Sequence, residues 1–456
     1  MRRTALVAAA LAALALAHAS PARADGPKLD VPNSKFTLDN GMVVILAEDH
    51  ALPMVVTNLM VKVGSRFEEK GRTGFAHLFE HLMFMGTNLV PTKMYDGWME
   101  KEGGWNNANT GEDRTDYYDV GPARTLPLLL WLEADRFGAL GKEMTLDKLN
   151  AQREVVRNER RQTSENTPYG KVELRLPELL FPDGHPYHHP VIGSHADLQA
   201  AEVKDVQSFF ARWYVPNNVT LCVAGDFDPA DVKARVTSLF GTLPRGDVPA
   251  APAAPPSKLT SIVRETMPDN VQMPKIIMAW QSPAHYAPGD AELDLVSVVL
   301  DHGKASRLYK ALVYDKPIAQ EVHAEQHSLD VGGYFTIEAI PRKGVTLDQL
   351  EAAIDAELAK LLAAAPGDAE LQRAKNQFET GFVERLQSLA ARAALLNDYQ
   401  TSQGDPNYAD KDLARYRAVT SSGLLSVAKA TLTPGARVIL RVVPKDPAAA
   451  GKAGDE

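Results

Sequence analysis

The residues with the clearest chemical meaning are His77, Glu80 and His81, which form the pattern H-x-x-E-H. Two histidines four positions apart lie one helical turn from each other, so both imidazoles can bind one metal ion from the same helix face. The glutamate three positions after the first histidine leans over the same place. The set predicts a metal site with a carboxylate beside it, which is the chemistry of metal-assisted hydrolysis.

The surroundings of the motif bear on whether this helix binds a metal. Taken alone, two histidines one turn apart also occur on solvated helices that bind nothing. Here the motif is surrounded by apolar residues, which predict a buried helix: Leu78, Phe79, Leu82, Met83 and Phe84. Buried imidazole and carboxyl groups need partners. A divalent metal would satisfy both histidines and leave Glu80 free to hold a water molecule.

The length and composition favour a globular protein with more than one domain. The chain has 456 residues, 45% of them apolar and 23% charged, which is too long for one ordinary core and too apolar for disorder. Residues 1–24 differ from the rest, with a basic start, an apolar run and small residues before Ala24. This pattern predicts an export signal cleaved near Ala24, and therefore a periplasmic or secreted protein.

Charge and cysteine content exclude several classes of partner and site. Removing residues 1–24 takes away three arginines and no acidic residue, which lowers the formal charge from −9 to −12. An acidic chain of this kind argues against a nucleic-acid partner. No apolar run is long enough to predict a membrane span. Cys222 is the only cysteine, so the chain can form neither an intrachain disulfide nor a zinc site built from cysteines.

A segment rich in proline and alanine at residues 246–258 predicts an extended linker. It divides the mature chain into residues 25–245 and residues 259–445, and residues 446–456 follow as a tail. Strands and helices are mixed in both halves without strict alternation. We therefore predict an α+β fold of two structurally similar α/β sandwich domains, each an antiparallel-rich sheet packed with helices and related by duplication.

Hydrophobic periodicity also places individual elements. The predicted strands lie at residues 35–38, 42–48, 55–63, 219–224, 275–281, 333–339 and 437–443. Outside the motif, the predicted helices lie at residues 126–140, 146–165, 291–300, 347–364 and 369–400.

Several short phrases accompany the motif: residues 74–76 (GFA), 85–87 (MGT), 107–110 (NANT), 165–170 (ENTPYG), 185–187 (HPY) and 213–218 (WYVPNN). With H-x-x-E-H they resemble the pitrilysin/insulinase family of zinc metallopeptidases. Within that family, the chain is similar to the shorter bacterial members that are related to the mitochondrial processing peptidase subunits. The resemblance is strong in the first half of the chain and weak in the second.

The resemblance implies one Zn²⁺ per chain with a third protein ligand. In the family this ligand is a glutamate some 75 to 80 positions beyond the motif, and Glu159 lies 78 positions after His81. Glu154 is the rival acid in the same phrase. We expect His77, His81 and Glu159 to bind the metal, because three protein ligands leave one position for water. Glu80 would then act as the general base of peptide hydrolysis.

Asn107 and Ala108 resemble the segment of the family that forms an edge strand beside the zinc, to which a peptide substrate adds as an extra strand. We therefore expect them to bind the substrate. The alternative is that Asn107 is a turn residue after Gly103 and Gly104.

Two departures from the family pattern concern substrate positioning and the metal. The family has an arginine and, seven positions later, a tyrosine that hold the substrate backbone, but the corresponding residues here are Val313 and Gln320. Gln152 stands where the family often has a glutamate supporting the metal ligands. The resemblance thus implies a zinc endopeptidase subunit whose sister subunit supplies the Arg/Tyr clamp. A non-hydrolytic assembly or binding subunit and a self-sufficient homodimeric peptidase remain as alternatives.

Overall fold

The computed structural model of the protein describes residues 29–445. The predicted export signal at residues 1–24 and the predicted tail at residues 446–456 lie outside this range. The described part contains two sheets, each packed with helices. Between residues 29 and 445, no helix combines the length and the hydropathy that crossing a membrane requires.

Six strands form the first sheet: β1 (Ser34–Thr37), β2 (Val43–Glu48), β3 (Met54–Val61), β4 (Trp105–Thr110), β5 (Thr115–Pro122) and β6 (Val219–Gly225). Their spatial order is β1-β2-β6-β3-β5-β4, which leaves β4 at an edge. The β2–β6 pair is parallel and the other neighbouring pairs are antiparallel. The central strands β3 and β6 are almost wholly buried because helices cover both of their faces.

The described part of the first half has eight α-helices: α1 (Phe75–Leu82), α2 (Met94–Lys101), α3 (Leu126–Ala139), α4 (Leu146–Glu159), α5 (Lys171–Leu180), α6 (His195–Ala200), α7 (Val203–Trp213) and α8 (Pro229–Phe240). Most of them pack on one face of the sheet around a core that includes Phe79, Phe137 and Phe240. The helix predicted at residues 146–165 is α4 continued by a π-helical segment, Arg160–Glu165.

Five strands form the second sheet: β7 (Val263–Asp269), β8 (Lys275–Ser282), β9 (Ala319–His327), β10 (Gly333–Pro341) and β11 (Val438–Pro444). Their order is β7-β11-β8-β10-β9. The β7–β11 pair is parallel and the remaining pairs are antiparallel. This order matches β2-β6-β3-β5-β4 strand for strand, including the single parallel pair. The prediction of two similar α/β sandwich halves is therefore confirmed.

Six helices complete the second half: α9 (Asp290–Asp301), α10 (Leu347–Ala363), α11 (Asp368–Arg385), α12 (Leu389–Gln403), α13 (Ala409–Ala418) and α14 (Ser421–Thr431). The prediction of one helix at residues 369–400 is wrong, because the chain leaves the helical conformation at Ser388. The Ser388 hydroxyl caps α12 by accepting from the Ala391 N–H at 3.4 Å. Beyond this break, Ala393 and Leu396 pack beside Cys222 on the other face of the first sheet.

Residues 246–258 contain neither helix nor strand, as expected of a linker. The domain limits given above remain a prediction.

Strands β4, β5, β7 and β9 were not detected by periodicity. Three of them lie at sheet edges, where polar side chains are tolerated on the exposed row, and β5 carries buried Asp119 within its sequence. Their patterns are therefore not those of a half-buried strand.

A buried ion pair of the first half, close to the end of β4, is contacted by the second half. Asp113 lies in the β4–β5 loop, 3.1 Å from Arg66 Nε, and both side chains are at most 7% exposed. The Tyr187 hydroxyl and the Asp330 backbone N–H also donate to the Asp113 carboxylate, at 2.7 and 3.0 Å. Because Asp330 belongs to the β9–β10 loop, its contacts with Asp113 and Arg66 hold the second sheet against the edge of the first.

This network predicts a marked loss of stability in Asp113→Ala. The variant would remove the buried carboxylate that pairs with Arg66 and accepts from the Tyr187 hydroxyl, leaving the guanidinium only Asp330, at 3.3 Å. Breaking a buried pair in this way typically costs about 3 kcal/mol. We expect the midpoint of thermal unfolding to fall by roughly 3 °C or more. Asp183→Ala is the matched control, because the Asp183 pair with Lys70 spans 3.4 Å and its side chains are 76% and 90% exposed. Equal midpoints for the two variants would contradict this account.

Candidate metal centre

Helix α1 carries the H-x-x-E-H residues on its accessible side. Its buried side consists of Phe75, Ala76, Leu78, Phe79 and Leu82. The remaining positions hold both histidines and the glutamate, and of these His77 and Glu80 line a cavity of about 610 Å³. The helical periodicity of the sequence therefore places the packing residues on one side of α1 and the polar motif residues on the other.

The beginning of α1 is fixed by Glu68 and Gly74. The Glu68 side chain is fully buried and accepts from the backbone N–H groups of Gly74 and Ala76, at 2.9 and 2.7 Å. Acceptor oxygens at this end of a helix satisfy its otherwise unpaired backbone donors. Gly74 has a φ of 85°, and a Cβ there would lie 2.8 Å from the carbonyl oxygen of Ile192. These contacts therefore fix the position of the first turn of α1, and with it the position of the motif residues.

Helix α4 brings Glu159 to the same cavity. Thr145 caps the start of α4 by accepting from the Lys148 N–H at 3.3 Å, and Val156 packs in the core. Arg153 anchors the middle of the helix, because its buried Nε donates to the Leu198 carbonyl at 2.9 Å. Glu159 is the last residue of α4, where the π-helical segment begins. Such segments are frequent at functional sites.

The side chains of His77, His81 and Glu159 meet at one point. Their nearest atoms are 3.3 Å apart for the two Nε2 atoms, 3.7 Å for His77 Nε2 to Glu159 Oε1, and 3.1 Å for His81 Nε2 to Glu159 Oε2. Tetrahedral zinc ligands about 2.0 to 2.1 Å from the ion are separated by about 3.3 Å. The donor set and its spacing therefore fit Zn²⁺, and within residues 29–445 this is the one group with such geometry.

The protonation tendencies of His77 and Glu159 suit a divalent cation, whereas the neighbouring Glu159 favours the protonated form of His81. Burial and the neighbouring His81 lower the pKa of His77 to about 4, so its imidazole is neutral at pH 7. The hydrogen bond with His81 lowers the pKa of Glu159. Burial acts to lower the pKa of His81, but the hydrogen bond and charge of Glu159 outweigh it and the pKa is raised. A neutral imidazole and an ionised carboxylate are the forms that bind zinc.

Glu80 lines the same cavity but stands apart from this ligand group. Its Oε2 atom accepts a hydrogen bond from the Thr110 hydroxyl at 2.5 Å. Burial raises the pKa of Glu80, while this hydrogen bond and the charge of His81 oppose the rise. A carboxylate with a raised pKa beside a metal site is suited to exchanging protons with a reacting molecule.

Glu154 and Gln152 of α4 differ in their position relative to the metal site. Glu154, the rival third ligand, points away, because its side chain is 56% exposed and pairs with Arg157 at 2.7 Å. Gln152 lies beside the site, where its side-chain hydrogen bond favours the protonated form of His81. The Gln152 Nε2 atom donates to Met85 Sδ at 2.8 Å. Gln152 therefore contacts His81 without adding a charge.

Asn107 and Ala108, the residues expected to bind substrate, have different positions relative to the cavity. Asn107 belongs to the edge strand rather than to a turn, and it pairs with Tyr118 of β5. Alternate residues of a strand face opposite sides, so Ala108 and Thr110 line the cavity while the Asn107 side chain is exposed on the other side. Only the backbone of Asn107 is thus placed to contact a peptide near the motif.

The second half contributes residues that the sequence analysis did not single out. His327, Tyr334 and Thr336 of the second sheet line the cavity opposite the motif helix. Nothing in their spacing connects them with the motif, because they become its neighbours only when the two sheets pack together. Val313 and Gln320, the positions of the expected clamp, do not line this cavity; Val313 packs against the second core and Gln320 is exposed.

The chain is similar in sequence to known families and proteins. Residues 43–184 match the profile of the insulinase family (peptidase family M16), and residues 200–378 match that of the peptidase M16 inactive domain. Zinc protease PqqE of Helicobacter pylori is 29% identical over 374 residues, which are 80% of this chain and 83% of that protein. The beta subunit of the mitochondrial-processing peptidase of Blastocladiella emersonii is 27% identical over 241 residues, 51% of this chain and 49% of that protein.

Solved structures share the fold over nearly the whole described part. A protease from Helicobacter pylori superposes with a TM-score of 0.85 at 27% identity, covering 91% of this chain and 100% of that chain. The periplasmic protease PqqL from Escherichia coli has a TM-score of 0.76 at 19% identity, covering 94% of this chain and 49% of that chain. The second likeness concerns the fold alone.

The site geometry predicts that loss of any one ligand abolishes stable zinc binding. His77→Ala, His81→Ala and Glu159→Ala each leave two protein ligands, and we expect their zinc content after dialysis to fall from about one per chain towards zero. Elemental analysis by mass spectrometry measures this. Glu154→Ala, on the same helix, is the matched control and should keep its zinc. Wild-type zinc content in Glu159→Ala would refute the assignment of the third ligand.

Proposed function

We propose, from the premise that the chain belongs to the insulinase family (peptidase family M16), that it is an exported zinc-dependent endopeptidase acting on peptides or unfolded polypeptides. The observation that supports this most directly is the tetrahedral spacing of His77, His81 and Glu159 beside Glu80. The export step rests on the signal pattern of residues 1–24. The domain limits proposed with it are residues 25–245 and 259–445, joined by the linker at residues 246–258.

The proposed mechanism is hydrolysis of a peptide bond with Glu80 as general acid and base. One zinc ion held by His77, His81 and Glu159 would polarise the substrate carbonyl and acidify a water molecule. Glu80 takes a proton from the attacking water and delivers it to the leaving amine nitrogen as the C–N bond breaks. Gln152 keeps the His81 ring in place through its hydrogen bond.

The edge strand β4 is the proposed docking place of the substrate backbone. Its outer side has no neighbouring strand among the described residues, so its unpaired peptide groups can bind an extended peptide. Ala108 is a suitable contact residue, because its small side chain lines the cavity and leaves space for the substrate. Asn107 would contribute through its backbone, and its side chain already accepts from the Ala108 N–H at 2.9 Å.

The subunit organisation follows from the missing clamp. Val313 and Gln320 offer neither a guanidinium nor a phenol to hold a substrate carbonyl, so we propose that a sister subunit supplies an arginine and a tyrosine. The relative from Blastocladiella emersonii is itself named a subunit. A non-hydrolytic assembly or binding subunit is the alternative from another functional class, but it would not need all of His77, Glu80 and His81. A self-sufficient homodimer is the third candidate.

The role proposed for Glu80 predicts a separation of metal binding from turnover. Glu80→Gln should keep its zinc, since the residue is not a ligand, and should lose at least about 10²-fold in kcat/KM on an unfolded peptide, since an amide cannot accept the proton. Glu154→Gln is the matched control on an exposed position and should behave as wild type. Cleavage by zinc-loaded Glu80→Gln at the wild-type rate would overturn the role.

The missing clamp predicts weak activity of the isolated chain. We expect its kcat/KM to rise by roughly 10²-fold when an M16 protein of the same organism that has the Arg/Tyr pair but lacks H-x-x-E-H is added, because positioning of the substrate then improves. Light scattering on the same samples reports whether a heterodimer forms. High activity in a partner-free preparation that is homogeneous by light scattering would contradict the heterodimer.

A further inference from the structure

One hydrogen bond determines how the Glu80 carboxylate is oriented. The Thr110 hydroxyl donates to Glu80 Oε2 at 2.5 Å. Elsewhere in the described part of the chain, no other group donates a hydrogen bond to this carboxylate. Thr110 therefore holds one oxygen, while Oε1 remains available to a water molecule in the cavity.

The position of Thr110 is set by the sheet and not by the motif helix. Thr110 is the last residue of edge strand β4 and pairs with Thr115 of β5. The two hydroxyl groups lie 3.4 Å apart, and the buried Thr115 donates to the Val63 carbonyl at 2.9 Å. The next residues of the loop are fixed by the Asp113 ion pair described above. Thr115 and Thr110 of the first sheet therefore connect Glu80 to residues outside α1.

We propose that Thr110 is a positioning residue, which couples the orientation of Glu80 to the edge strand on which a peptide would dock. A peptide that pairs with β4 would stabilise the strand whose last residue aims the carboxylate. The base would therefore be best oriented when substrate is bound, and Thr110 itself is not part of the metal-ligand group. This inference rests on the proposed peptidase function and adds a residue to it.

Two substitutions separate the hydrogen bond from packing. Thr110→Val keeps the branched shape and removes the hydroxyl, whereas Thr110→Ser keeps the hydroxyl and removes a methyl group. If Thr110 acts through its hydroxyl, the valine variant is impaired and the serine variant is close to wild type. If it merely fills space, the serine variant is impaired at least as much. Thr237→Val on α8 is the matched control, since that exposed hydroxyl donates to the Lys233 carbonyl at 2.7 Å.

The test uses the zinc-loaded chain, with its partner if one is required, and measures kcat, KM and zinc content. We expect kcat of Thr110→Val to fall by about 10-fold or more, because a wrongly oriented Glu80 is a less effective general base. KM should change by less than about twofold, and zinc should be retained. Thr110→Ser should recover most of kcat. Wild-type kcat in Thr110→Val, or an equal loss in Thr110→Ser, would overturn the proposal, as would loss of zinc from Thr110→Val.

Crystal structures of the zinc-loaded variants supply a readout besides activity. Glu80 should adopt one carboxylate orientation in wild type and Thr110→Ser, and a rotated or divided one in Thr110→Val. An unchanged Glu80 in Thr110→Val would overturn the positioning role. If wild type cleaves no peptide while Glu80 still rotates in Thr110→Val, the proposed function fails and the positioning role stands.

Discussion

The constraint on which the rest of the site depends is the meeting of two imidazoles and a carboxylate at a half-buried point. His77, His81 and Glu159 have side chains only 12%, 23% and 35% exposed, and their donor atoms lie within 4.8 Å of one another. Polar groups held so closely away from water need a shared partner. Helices α1 and α4 can keep them there because each buries an apolar side and is anchored by a buried polar side chain, Glu68 for α1 and Arg153 for α4.

The two halves have similar folds but contribute different parts of the site. Apart from β1, the two sheets have the same strand order, and both end in an edge strand, β4 or β9. The first half carries the ligand group, while the second half supplies α12, which covers the outer face of the first sheet, and the cavity wall around Tyr334. The buried contacts of Asp113 hold the halves together close to the edge strand. Stability and site geometry are therefore linked through the same loop.

Much of the site could be predicted from sequence because helical spacing is local information. The pattern of α1 places His77, Glu80 and His81 on one side, as the structure has them. Glu159 lies 78 residues further on, so no spacing argument reaches it, and the resemblance supplied it. Thr110 and Tyr334 depend on strand pairing and on the packing of two sheets. The break at Ser388 was missed for a similar reason, since periodicity does not reveal which sheet a helix covers.

The central claim is that this chain holds a zinc ion through two histidines of α1 and one glutamate of α4, with Glu80 outside the ligand set. Diffraction from crystals of the zinc-loaded protein, collected on both sides of the zinc absorption edge, tests it most directly. The account predicts one anomalous peak per chain, about 2.0 to 2.2 Å from His77 Nε2, His81 Nε2 and a Glu159 oxygen. A peak coordinated by Glu80 in place of Glu159, or no peak at this site, would contradict it.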